Sequence, residues 1–243
     1  MARWLERYLA GDLVRVWVEI TSLGADLRTD PADFEDAQAV ARITMRRARR
    51  NVERLVEMLP AAGYRFAATD EFAAFEPPST DIAIDLDVVE QGVGLLPLSL
   101  RAWYEEVGRV NLVGTHDDWK LEFTDALVVD APISFVLSEH DQWADDQGTS
   151  WGRSQFTIDL SPDYLHKANV SGGAPYALAV PNPAGDGLLL WERHQTTFVN
   201  YLRLAFRNGG FTGWDRGATD DWAVPTTPPP AVLAEISHQL EAI

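Results

Sequence analysis

The chain is expected to fold as an α+β protein, an antiparallel sheet packed with helices and preceded by a helical N-terminal arm. Three observations carry that expectation. Residues 31–59 repeat small and apolar side chains every three or four positions, the spacing of one long helix. Residues 110–191 instead hold short apolar runs bounded by turn residues, the pattern of strands. Helical spacing then returns at 196–206 and at 231–240.

The elements follow in chain order. Residues 3–10 and 13–21 read as short helices. Asp30-Pro31 is an N-cap followed by proline at the first helical position. Asp33, Glu35 and Asp36 fill the first turn, where carboxylates favour the helix dipole. Ala37, Ala41, Thr44, Ala48, Val52, Leu55 and Leu59 form the inward stripe, and Pro60 and Gly63 are expected to break the helix. The Pro77-Pro78-Ser79-Thr80 stretch marks a boundary. The predicted domains are therefore an arm over 1–68, a linker over 69–84 and an α+β domain over 85–243 that includes the C-terminal helix.

In that domain, an apolar-acidic segment from Asp85 to Gly94 precedes Leu96-Pro97. Pro97 suits a first helical turn. Leu100, Trp103, Tyr104 and Val107 recur at i, i+3, i+4 and i+7, and Gly108 ends the helix. Predicted strands are 110–114, 126–130, 133–137, 155–160, 176–180 and 188–191, with turns at Gly172-Gly173 and over 183–187. Phe198, Tyr201, Leu202, Ala205 and Phe206 give a helical face stopped by Asn208-Gly209-Gly210. Leu233, Ile236 and Leu240 mark a last helix.

The Leu95–Gly108 stretch, with its Leu-Pro break between two helices leading into strands, resembles the start of the SUKH superfamily, the SMI1/KNR4-like domains. The order helix, helix, strands, helix over 85–210 is similar to that family's as well. Val107 stands where the family has asparagine before the glycine. The resemblance implies a non-enzymatic binding protein. Many bacterial members of that superfamily are immunity proteins that block toxins, and a fungal branch regulates through protein contacts.

Composition narrows the function classes. The chain has 243 residues, is 46% hydrophobic and contains nine Trp, enough for a sizeable core. It has no cysteine, which excludes disulfides, thiolate chemistry and cysteine-ligated zinc. Glu6 and Asp12 interrupt the apolar pattern a secretory signal needs, so a cytoplasmic location and no membrane association are expected. Of 20 basic residues only Lys120 and Lys167 are lysine, a usage typical of GC-rich bacterial genomes. The net charge of −17 is uneven: residues 1–65 are nearly balanced, and 66–243 carry 27 acids against 9 basic residues. That field repels nucleic acid and favours a basic partner. The Arg46-Arg47-Ala48-Arg49-Arg50 run, with Glu53 and Glu57 one turn on, reads as a salt-bridged solvated face.

Catalytic and cofactor signatures are absent. No phosphate-binding glycine loop, dinucleotide fingerprint or G-x-S-x-G frame occurs, and the five histidines form no zinc-ligand pair. No cofactor, metal site or catalytic residue is assigned. The segment 117–151 sets Trp119, Trp143 and Trp151 among Asp117, Asp118, Glu139, Asp141, Asp145 and Asp146. Aromatic anchors in an acidic surface suit the capture of a basic protein such as a toxin domain. The competing reading makes the tryptophans core and the acids solvent cover. Two other function classes stay open: a carboxylate- or metal-dependent hydrolase, and an assembly protein that dimerises through residues 31–59.

Overall fold

The computed structural model describes residues 3–67, 73–147, 149, 153–215 and 223–243. It is a mixed α+β fold with small antiparallel sheets and N-terminal helices.

The arm comprises α1 (Trp4–Leu9), α2 (Leu13–Ser22) and α3 (Pro31–Ala61). Asp30 caps α3 by accepting the amides of Ala32 and Asp33 at 2.8 and 3.3 Å. The small-residue stripe lies on the buried side of α3: Ala37, Ala41, Ala48, Val52, Leu55 and Leu59 are all fully buried. Small side chains let neighbouring helices approach closely, and α1 and α5 (Leu98–Glu106) pack against this helix. Pro60 does not break it. It sits within the last turn, and the stop comes at Gly63, whose φ of +91° a glycine adopts without strain.

Residues 69–84, expected as a linker, carry structure in their described part. Strand β2 (Phe75–Glu76) and the start of α4 (Ile82–Val93) lie there. One hydrophobic cluster extends from Tyr8 through α3 and α5 to Ile243, so the arm and the rest share a core.

Helix α5 begins one residue later than expected, with Pro97 as its cap residue. Its free N-terminal amides are satisfied from far along the chain: Leu98 and Ser99 donate to the carbonyls of Ala184 and Gly185 at 3.0 and 2.9 Å. Its end is fixed by Gly108, with φ +97°. A Cβ there would lie 2.3 Å from the Glu76 carbonyl oxygen, so strand β2 can reach its partner only past a glycine.

The strands are short. β1 (Arg65–Phe66) pairs with β4 (Gly114–Thr115), and β2 pairs with β3 (Arg109–Asn111), which pairs with β5 (Val128–Val129). β6 (Phe156–Ser161) pairs with β7 (Tyr176–Val180), from Phe156 opposite Val180 to Ser161 opposite Tyr176, with an irregularity between Asp159 and Ser161. All pairings are antiparallel. The Asp130 amide donates to the Leu160 carbonyl at 2.8 Å and ties the three-stranded sheet to β6.

Two predicted strands are corrected. Residues 133–137 form a 3-10 turn (Ile133–Phe135) and the first residues of α6 (Val136–Asp145). Their apolar run serves a helix–helix contact: Leu137 occupies the space where a Cβ on Gly92 of α4 would lie 2.5 Å from its Cδ2. Residues 188–191 make isolated bridges to Ala177 and Thr197 and no strand. A short helix α7 (Tyr164–Lys167), α8 (Phe198–Arg207) and α9 (Ala231–Ser237) follow, and further 3-10 turns lie at Gly24–Arg28 and Thr212–Trp214. Among the described residues no helix is long and apolar enough to cross a membrane.

Candidate functional site

The acidic-aromatic segment divides into two groups on different supports. Asp117, Asp118 and Trp119 follow β4. His116 approaches the Ala62 carbonyl with Nε2 at 3.0 Å and stacks on Trp119, with ring centroids 4.1 Å apart and planes 9° from parallel. Trp119 also lies 5.9 Å from Tyr64, so it is a half-buried extension of the core. Asp117 pairs with Arg65 of β1 at 2.5 Å, and that hydrogen bond holds its carboxyl below the usual range. Asp118 is exposed, and its amide donates to His116 Nδ1.

The second group rides on α6. Trp143 is half-buried against His140 and Phe156, and its Nε1 donates to the Arg153 carbonyl at 2.8 Å. Glu139, Asp141 and Asp145 are exposed and Asp146 is partly so. Among the described residues no hydrogen bond, ion pair or ring contact joins the two groups, and Trp151 lies outside the described residues.

Between α6 and β6 runs a groove of about 260 Å³. Trp143 and Phe156 line it, with Glu139, Asp146, Asp159 and Arg153 around them. Burial pushes the Asp159 carboxyl up, and Arg153, 3.5 Å away, pulls against that shift. The Arg153 guanidinium also lies 5.4 Å from the ring of Trp191, which is 48% exposed at φ +60°. A bulky residue held in that conformation is a true backbone outlier, and outliers concentrate at functional sites.

Charge pairing differs sharply between the two faces in question. The arginines of α3 are engaged within the chain: Arg46 with Glu106 (3.0 Å), Arg49 with Glu53 (2.8 Å), Arg50 with Glu241 (2.7 Å), and Arg47 over the Tyr8 ring. Glu139, Asp141, Asp145 and Asp146 take part in no ion pair among the described residues.

Sequence reading missed a buried polar cluster. Asp125 accepts from Lys167 Nζ (2.6 Å), Tyr176 Oη (2.9 Å) and Thr212 Oγ1 (2.8 Å). The Asp125 and Lys167 side chains are 0% and 3% exposed. These partners lie 42, 51 and 87 residues from Asp125, so no local motif announces them. Asp125 has φ +52°, in the left-handed region that Asp tolerates better than most residues. Two carboxylate–histidine pairs are local enough to have been noticed. Asp163, the cap of α7, meets the His166 Nδ1 three residues on, and Glu192 bonds the His194 Nδ1 at 2.6 Å. No group of three or more His, Asp or Glu among the described residues could hold a metal ion.

The Glu192–His194 pair makes stability depend on pH. Burial alone would lower the His194 pKa, but the Glu192 carboxylate and the Asp215 carbonyl leave it raised above 6.5 in the folded state. A raised pKa means the folded state binds the proton more tightly. The contribution is therefore complete below about pH 6.5 and is lost as pH rises through the folded value. Urea titrations across roughly pH 5.5–9, the window around the histidine range, should show the wild type losing stability as pH rises. His194→Gln should be flatter over the same window. An identical slope in both proteins would exclude His194 as the source.

Neither a protein-family model, nor a curated protein, nor a solved structure matches this chain at a significant level.

Proposed function

We propose that the protein is a non-enzymatic binding protein that captures a basic protein partner on the outer face of α6 and the groove beside it. The observation that carries this reading is the contrast in charge pairing. The arginines of α3 are engaged inside the chain, whereas Glu139, Asp141 and Asp145 of α6 and Asp146 just past its end form no ion pair among the described residues. Unpaired surface acids raise the encounter rate with a basic surface, and aromatic groups beside them hold the complex. Trp143 and the strained, exposed Trp191 supply such groups. A SUKH-like identity and a role in toxin immunity or regulation agree with this chemistry and belong to the same proposal.

The rival readings have less support. Of the carboxylate- or metal-dependent hydrolase, the metal-dependent form needs a ligand cluster, and none occurs among the described residues. Dimerisation through 31–59 needs an apolar face, and the apolar stripe of α3 is already buried within the chain.

The test is a pull-down with the product of the adjacent gene, followed by binding kinetics. Trp143→Ala should raise the dissociation rate by about tenfold or more, as loss of an aromatic anchor does. Asp145→Asn with Asp146→Asn should instead slow association severalfold and flatten its salt dependence. A partner whose kinetics ignore all three changes would refute the reading. So would turnover of a substrate by the purified protein.

A further inference from the structure

A cavity of about 660 Å³ opens between the β3–β4 stretch and the segment that joins β6 to β7. Val113, Pro162 and Pro175 give it apolar walls, and His166 and Asn169 are among its polar lining. Mostly apolar walls with a few placed polar groups, in a volume of roughly 300–1,000 Å³, describe the usual small-molecule site.

His166 is held in place from behind. Asp163, with a side chain 3% exposed, meets the imidazole Nδ1 with Oδ2, while its Oδ1 accepts the amides of Leu165 and His166. The following loop closes over this carboxylate at Gly173: φ is +80°, and a Cβ there would lie 2.6 Å from Asp163 Cγ. The His166 side chain is 52% exposed, and its Nε2 has no partner among the described residues. A carboxylate on one ring nitrogen fixes the orientation of the ring. Neighbouring Lys167 does not compete, because its ammonium is withdrawn to Asp125.

The lining is also an electrostatic exception in a chain of net charge −17. Its one acid among the described residues is Asp163, and both oxygens of that acid are already occupied. Among the described residues an incoming anion meets no free carboxylate there.

We propose that this cavity binds a small organic carboxylate with an apolar body. The carboxylate accepts a hydrogen bond from the Nε2–H that the His166 ring carries when doubly protonated, and the body lies against Val113, Pro162 and Pro175. The site is independent of the α6 surface and of the partner bound there.

The experiment is NMR of the imidazole signals, which five histidines keep simple, with His166→Gln identifying the relevant one. The probes are phenylacetate, phenylacetamide and inorganic phosphate. Phenylacetate at millimolar concentration should shift the His166 signal saturably. The amide, which lacks the charge, and phosphate, which lacks the apolar body, should each bind about tenfold more weakly or worse, the loss of one charge-assisted contact or of the apolar burial. Calorimetry should show a similar loss of phenylacetate affinity in His166→Gln. Thr115→Trp, an exposed position at the cavity wall, should block binding and leave the His166 signal in place. No response to phenylacetate, equal binding of the amide, or full affinity in either variant would overturn the proposal.

Discussion

Trp103→Ala should destabilise the protein by about 3–5 kcal/mol, the usual cost of truncating a large buried aromatic. Trp103 is fully buried on α5 and meets Phe198 of α8 edge-to-face, with centroids 5.6 Å apart. It therefore ties together α8 and, through α5, the long helix α3. Its indole N–H has no hydrogen-bond partner among the described residues, so the loss is one of packing and not of a polar contact. Trp103→Phe keeps most of the ring and should lose less than half as much. Urea denaturation of both variants checks this. A change below about 1 kcal/mol in Trp103→Ala would mean that the helices do not depend on this contact.

Asp125→Ala should cost as much or more. The change leaves the Lys167 ammonium buried without its counter-ion, a situation that costs about 3–5 kcal/mol. It also strips Tyr176 and Thr212 of their acceptor and places alanine at φ +52°, which adds about 1–2 kcal/mol. Asp125→Asn tolerates the backbone conformation and keeps an acceptor, but it still leaves Lys167 unpaired. The double change Asp125→Asn with Lys167→Met removes the orphaned charge and should recover part of the loss. A double-mutant cycle with no coupling between the two positions would show that the pair contributes nothing.

Both predictions come from the same fold but were not equally legible beforehand. Trp103 could be placed from sequence because its neighbours on the helical face are three and four residues away. Structure confirms it as fully buried. The long α3 was readable for the same reason, from the Asp30 cap through its stripe to Gly63. So was the pairing of Arg49 with Glu53, one turn apart at 2.8 Å. Strands β6 and β7 could be read from their alternation and apolar runs, because their backbones needed no distant information to look extended.

Where a short apolar run has no period of its own, sequence could not decide. Residues 133–137 and 188–191 are similar in composition to strands, yet one became a helix start packed beside Gly92 and the other a pair of isolated bridges. The partner that an apolar run meets sets its conformation, and that partner is remote in the chain. The acidic-aromatic segment shows the same limit. Composition revealed its charge and its tryptophans, and tertiary packing then sent Trp119 to the side of Tyr64 and Trp143 to the β6 groove.

Local physics, legible along the chain, controls the helical arm, its cap and stop, the buried face of α5, the extended runs of β6 and β7 and the acidic balance of the chain. Tertiary structure alone decided which charges are neutralised and which are free. It also alone assembled Asp125 with Lys167, Tyr176 and Thr212 across as many as 87 residues. The reason is physical. A helix or strand is selected by neighbours a few residues away, whereas burial of an ion pair or the shape of a cavity depends on groups that only the folded chain brings within a few ångströms of one another.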